Sequence, residues 1–311
     1  MALIKKPSEL DAKSTLSAMI YGQPGIGKTT LAVSAPSPVL FDYDGGVTRI
    51  NGAHQVDTVQ IHSWEDTDKA LKEVANAGDT YKTIIIDTVG KMLAYMEDYI
   101  KRTQPKLKQY DGSLSLKGFG VRKQMFIQLL KDTATMGKNI IFVAHETESK
   151  RDDLTVSRPD ISGSAANDLV KELDLVGYMQ AIGQQRTITF DPSERYYAKN
   201  TCNMPGIITV PVTVDQDGNA MGKNDFFTIV VANYQERQRE NIETTKQYEA
   251  LLQDIADNVS QVTNAKEANE VIKWLAGVEH IYNSPAKAWE MLKQRAAELG
   301  LKYNKIAKTY E

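Results

Sequence analysis

Along the chain, hydrophobic and polar positions change period, and the changes mark out the elements. Between residues 14 and about 232, short apolar runs alternate with segments whose apolar residues recur every three or four positions. That pattern predicts a largely parallel sheet joined by crossover helices. Runs at 15–21, 39–42, 58–61, 83–87 and 139–145 read as strands, with helices over 28–34, 64–77, a segment ending near 103, and 119–136. Ser63, with Asp66 three positions on, forms a capping pair for the second helix. Residues 104–118 and 146–163 are polar and irregular, and the alanine-rich stretch 164–173 reads as helical. Strict alternation then takes over at 175–182, 186–190, 196–199 and 207–214, predicting antiparallel strands that finish the sheet. Asp217 and Gly218 mark a turn. Beyond 234 the chain is charged with a helical period, Asn264 and Glu267 resemble a capping pair, Ser284 and Pro285 open a helix, and Gly300 closes it. The expected organisation is a lead at 1–13, an α/β domain at 14–234 and a small helical appendage at 235–311.

Composition narrows the class. The 311 residues suffice for one α/β domain and a smaller unit, and the 41% hydrophobic and 25% charged content is that of an ordinary globular protein. No apolar run is long enough to span a bilayer, and the first residues carry no apolar signal region, so neither a membrane nor secretion is expected. Cys202 is the only cysteine, which excludes a disulfide framework and any multi-cysteine metal site and fits a reducing cytoplasm. His54, His62, His145 and His280 show no ligand spacing. A net charge of −3 excludes a basic molecule overall but leaves room for a local basic stripe.

The most specific signal is Gly22, Gln23, Pro24, Gly25, Ile26, Gly27, Lys28, Thr29, a complete G-x-x-x-x-G-K-[ST] pattern between a predicted strand and a predicted helix. Its glycines allow backbone N–H groups to turn inward around phosphates, and the helix N-terminus, with Thr30 in its first turn, adds a favourable dipole. Lys28 is placed to reach the β- and γ-phosphates and Thr29 to ligate Mg²⁺. The apolar run 83–86 ends in Asp87, the residue type that holds the same ion; alone it would serve equally as a helix N-cap. Residues 87–90 also spell D-x-x-G, but no guanine-reading N-K-x-D follows, so ATP is the default nucleotide.

Hydrolysis needs a group that orients or deprotonates water. Parallel strands deliver their C-terminal ends to one edge of a sheet, which puts Asp42 and Asp44 near the nucleotide. Asp44 is the candidate base, with a plain turn aspartate before Gly45 and Gly46 as the alternative. His145 ends the run 140–144 on the same edge and is the candidate γ-phosphate sensor, or a strand-end surface histidine.

In its order of parts, residues 13–231 resemble the RecA-like ATPase core, and in particular the phage nucleotide-binding AAA-domain family that includes Sak-type single-strand annealing proteins. The narrower resemblance rests on 41–46, 140–146 and 199–205. It implies that Asp44 stands where RecA-like proteins usually carry a catalytic glutamate, and that His145 stands at the polar sensor, a glutamine in bacterial RecA. It makes Lys199 a lysine that would act on a neighbouring subunit's nucleotide; a second family lysine, near Thr201, is absent. It further implies ATP and Mg²⁺, a homo-oligomeric ring or filament with ATP at subunit interfaces, and two polar DNA-binding loops.

The first loop region is rich in Lys101, Arg102, Lys106, Lys108, Lys117, Arg122 and Lys123, with Tyr110 and Phe119 among them and Asp111 the only acid from 101 to 123. Basic groups interleaved with aromatics are a usual means of holding single strands; a solvated face is the alternative. The second loop offers Lys150, Arg151 and Arg158 against Asp152, Asp153 and Asp160. The basic end of the appendage, with Lys293, Arg295, Lys302, Lys305 and Lys308, reads as a solvated face or a protein-docking or DNA-contacting one. The expected activity is therefore a DNA-stimulated ATPase that binds single-stranded DNA and promotes annealing or pairing. A helicase or helicase loader, and a slowly hydrolysing nucleotide-gated interaction module, are the rival readings.

Overall fold

The computed structural model describes residues 3–151, 154–161, 170–183, 185–215 and 217–311. Ten strands form one sheet: β1 (Ser17–Gly22), β2 (Pro38–Asp42), β3 (Thr58–Gln60), β4 (Thr83–Asp87), β5 (Asn139–Arg151), β6 (Leu154–Pro159), β7 (Leu175–Ile182), β8 (Gln185–Thr189), β9 (Lys199–Asn200) and β10 (Ile207–Thr209). The order along the sheet is β10-β8-β7-β1-β5-β4-β2-β3, with β6 paired to β5 and β9 to β7. The six strands from β7 to β3 are all parallel. This is a RecA-like P-loop core: a mostly parallel sheet completed by antiparallel strands.

Why these residues make a two-faced sheet is visible in their period. In β4, Ile84 and Ile86 enter one apolar cluster and Ile85 the other; in β5, Ile140, Phe142 and Ala144 oppose Ile141 and Val143. Alternate side chains of a strand point to opposite faces, and a parallel sheet must be covered on both. The helices α2 (Trp64–Asn76), α3 (Val89–Thr103) and α4 (Leu116–Thr135) cover the first face; α1 (Lys28–Ala32) and the start of α5 (Phe226–Ser260), through Phe226, Phe227, Val230 and Tyr234, cover the second. Ser63 caps α2 by accepting from the Asp66 amide, as the capping pair requires.

Three expectations change. Residues 146–151 and 154–159 are not irregular: β5 runs on past His145 and pairs with β6 in an antiparallel ribbon, Glu146 opposite Pro159 and Arg151 opposite Leu154. Residues 146–151 are all polar or charged, so no apolar alternation marks this arm as a strand. The strand over 175–182 pairs antiparallel with β8 and β9 as expected, but it also joins the parallel sheet through β1, because a period of two reports burial and not direction. Residues 226–234 are helical, and α5 begins before the predicted boundary at 235. The helix expected over 164–173 lies mostly outside the described residues.

The chain divides into two compact units, Lys13–Gln235 and Met1–Ala12 with Glu236–Glu311. In the latter, α6 (Ala265–Leu275) and α7 (Ser284–Glu298) pack with the end of α5 around Ile255, Val259, Leu275 and Leu292. Asn264 caps α6 by accepting from the Glu267 amide, and a short hairpin of β11 (Tyr303–Asn304) and β12 (Thr309–Tyr310) follows. Ser8 bonds Glu249 within the same unit.

Phe142 lies fully buried on β5, its ring 5.2 Å from that of Phe126 on α4. Phe142→Ala should destabilise the core by roughly 3–5 kcal/mol, read by chemical denaturation; a near-neutral change would contradict this packing.

Candidate nucleotide site

The loop at 22–29 leaves β1 at the C-terminal edge of the sheet. Gly22 is required by close approach: a Cβ there would meet the Met179 carbonyl oxygen at 2.3 Å. Gly25 and Gly27 have φ of +79° and +94°, the left-handed values that let successive amides of such a loop face one concavity. Gly27 caps α1, which is only five residues long. The loop amides, more than an extended helix dipole, are therefore what the segment offers an anion.

Lys28 is 5% exposed and folds back over the loop, donating to the Gly22 and Gln23 carbonyls at 2.9 and 2.7 Å. Burial pulls its pKa below the ordinary lysine value, opposed by the charges of Asp87 and Glu146. Thr29 donates its hydroxyl to Asp87 Oδ2 at 2.6 Å, so the two motifs read separately in the sequence meet directly. Asp87 is 8% exposed. Burial pushes its pKa up; the Thr29 bond opposes this, the Asp44 and Asp42 carboxylates reinforce it, and Lys28 opposes it. Thr30 contributes its carbonyl, which accepts from Asn224 at 2.8 Å.

Sheet order explains the rest of the edge. β5 lies between β1 and β4, with His145 level with Gly22 and Asp87 level with Val143. Asp42, at the end of β2, is buried and accepts from the amides of Asp44, Gly46 and Val47 at 3.0 to 3.2 Å. It therefore shapes the turn that presents Asp44. Asp44 Oδ2 accepts from the Thr88 hydroxyl at 3.2 Å and lies 3.8 Å from His145 Nε2. Asp44, Thr88, His145 and Asp160, with Gly90, Lys91, Ala94 and Glu97 along one face of α3, line a cleft of about 410 Å³.

The donor set suits a magnesium–nucleotide pair. One hydroxyl and one carboxylate beside a phosphate loop match the sparse protein ligation that Mg²⁺ accepts, the rest coming from phosphates and water. Among the described residues there is no cluster of three or more His, Cys, Asp or Glu that could hold a metal alone. Of the three buried, unpartnered polar side-chain atoms there, His145 Nδ1 and Glu146 Oε2 belong to consecutive residues of β5 at this edge. Glu146 was not singled out in the sequence, where it reads as the first residue of a polar loop; Arg186, which donates to the Ile26 carbonyl at 3.3 Å, was missed because it is far away in the chain.

The remaining candidates separate. Lys199, on β9, pairs level with Val176 and donates to the Lys171 carbonyl at 2.7 Å, and among the described residues it makes no hydrogen bond to its own phosphate loop. Among the basic residues of the first loop region, Arg122 must be withdrawn as a DNA contact. It is 2% exposed, pairs with Glu97 and lies 4.9 Å over the Phe119 ring. Its place on the apolar face of α4 outweighed its charge. Lys101 is engaged with Glu97 and Asp98, and Arg102 with Glu65. The Arg102 pair ties the end of α3 to the first turn of α2, which follows β3, and so keeps the loop after α3 toward the ligand edge. There Lys106, Lys108 and Lys117 are exposed and Tyr110 is fully so. Tyr110 crowns a tight turn closed by the Gln109 amide on the Ser113 carbonyl. Lys123 is half-buried on α4, Lys150 is exposed on β5, and Arg151 ends that strand. No helix among the described residues is long and apolar enough to cross a membrane.

Residues 14–202 match the family described as an AAA domain. No curated protein matches the chain.

A carboxyl whose pKa is raised by folding costs stability once it ionises, at every pH above the ordinary carboxylate range, and the cost is complete above the folded-state pKa. Asp87→Asn should therefore raise the thermal midpoint at pH 7, with the gain shrinking as pH falls through that raised pKa. An equal or lower midpoint at pH 7 would contradict the assigned burial cost.

Proposed function

Since the chain belongs to this AAA-domain family, for which nucleotide binding and ATPase activity are expected, we propose that it binds ATP with Mg²⁺ at 22–29, hydrolyses it, and acts on single-stranded DNA as a recombination protein of the phage Sak type. The observation that carries the nucleotide reading is the Thr29–Asp87 hydrogen bond, which closes the two motifs around one position. Lys28 would leave its two loop carbonyls for the phosphates, a better partner for a buried ammonium. Thr29 and Asp87 would hold Mg²⁺, which offsets charge on the transferring phosphoryl group. Asp44, braced by Thr88 and by the turn that Asp42 organises, would orient and deprotonate water, and His145, 3.8 Å from Asp44, would register whether a γ-phosphate is present.

The DNA reading is supported by the exposed Lys106, Lys108 and Lys117 with Tyr110 at the loop tip, charge for the backbone and a ring for a base. The β5–β6 ribbon is the second candidate contact, since it continues the strand that carries His145. Lys199 would serve a neighbouring copy in a ring or filament. A slowly hydrolysing interaction module is the second reading, favoured by the shorter reach of Asp44 and its engagement with Thr88; the helical unit would then dock a protein partner.

ATPase rate and sedimentation, each measured with and without single-stranded DNA, decide between them. Stimulated turnover with DNA-dependent assembly is expected; a rate and a size indifferent to DNA would rule out the recombination reading. Lys28→Ala should abolish nucleotide binding. Asp44→Asn should keep binding while lowering turnover by about 10²-fold or more; unchanged turnover would move the base elsewhere. Replacing Lys106, Lys108 and Lys117 by Gln should weaken binding to a single-stranded oligonucleotide. It should also flatten the log–log salt dependence by roughly 0.7 per lost phosphate contact; an unchanged slope would exclude the loop.

A further inference from the structure

Arg186 is the second residue of β8, opposite Ala181 of β7, and its backbone is held from the other side by the Val210 amide donating to its carbonyl. From there its guanidinium reaches across to the phosphate loop of the same chain. Nη1 donates to the Ile26 carbonyl at 3.3 Å, and a Cβ added to Gly27 would lie 2.6 Å from that nitrogen. The cation thus rests directly on Gly27, the residue that caps α1 and precedes Lys28 in the chain.

What it does there is not explained by what it touches. A guanidinium has five N–H donors in a flat fork. This one is half-buried, and among the described residues it donates a single hydrogen bond, at the long end of the range. Among the described residues no carboxylate pairs with it. Arg122, Arg102 and Arg295 all have one: Glu97, Glu65 and Glu298. A partly desolvated cation beside a concavity of amide hydrogens, with no anion of its own, adds positive potential where Lys28 already supplies it. Such an arrangement is costly unless an anion arrives, and the fork geometry suits phosphate oxygens above others.

We propose that Arg186 is a phosphate ligand in cis: on nucleotide binding its guanidinium exchanges the Ile26 carbonyl for the polyphosphate, so that two cations of one chain, Lys28 and Arg186, clamp the same group. This rests on reading 22–29 as the nucleotide site. It differs from a neighbour-supplied cation such as Lys199 in that it works in a monomer.

One neutral and one charged replacement separate this role from a structural one. Gln keeps an N–H for the Ile26 carbonyl and loses the charge; Lys keeps the charge and loses the fork. Affinity for fluorescent ADP and for a non-hydrolysable ATP analogue is measured on the full chain over a series of salt concentrations, with thermal midpoints as a folding control. Arg186→Gln should weaken binding by about tenfold and flatten its salt dependence, Arg186→Lys should lose less, and neither should lower the nucleotide-free midpoint appreciably. Parent-like binding by Arg186→Gln, or equal losses in both variants with the parent's salt slope, would overturn the proposal. Lys28→Ala is the control for the underlying reading: a parent chain that binds neither nucleotide, with Lys28→Ala indistinguishable from it, would remove the phosphate site itself and the clamp with it.

Discussion

At the edge of the sheet an ammonium and a carboxylate are buried within reach of each other's field. Lys28 and Asp87 are each desolvated, each is shifted toward its neutral form by burial, and each is partly rescued by the other's charge. Neither would persist in a site selected for stability alone, since a well-packed apolar pair would do as well or better. Their cost is contained by short local bonds: the ammonium to two loop carbonyls, the carboxylate to the Thr29 hydroxyl. Everything else at the site is arranged around that pair, and a polyphosphate with a divalent cation is the ligand that would relieve both charges at once.

The sheet delivers the remaining chemistry to the same place. With β5 between β1 and β4, the strand bearing His145 passes beside both the phosphate loop and Asp87. One strand further on, β2 ends in Asp42, whose carboxylate is spent on three backbone amides. That expenditure makes Asp42 a builder of the turn and frees Asp44 for the cleft. Two aspartates two residues apart thus have different roles because one is buried at a strand end and the other stands past it. β5 does not stop at His145; it carries on as one arm of a ribbon. Whatever moves the imidazole is therefore covalently continuous with a polar surface outside the core.

Charge in the sequence and charge on the surface are different quantities here. The basic run from Lys101 to Lys123 looks like one patch, yet Lys101, Arg102 and Arg122 are engaged by Glu97, Asp98 and Glu65. Arg122 in particular is buried beneath Phe119. The Arg102 and Arg122 pairs hold α2, α3 and α4 together, and Lys106, Lys108 and Lys117 are left exposed, as is Tyr110. The basic run therefore has two jobs: part of it pairs with acids of the helices, and part of it stands exposed on either side of Tyr110 in the sequence.

What the chain determined by itself is what depends on near neighbours. The phosphate loop, the strand ending at Asp87, the capping pairs at Ser63 and Asn264 and the two-faced apolar alternation are all local, because glycine dihedrals, caps and period are set within a few residues. What depends on distant partners was not legible. The parallel pairing of the strand at 175–182 with β1, the antiparallel ribbon beyond His145 and the burial of Arg122 needed the sheet to form. Arg186 is the sharpest case, lying 160 residues from the carbonyl it contacts. An arginine in an alternating strand carries no local mark of what it reaches, and only the order of strands in the sheet put its charge over the loop.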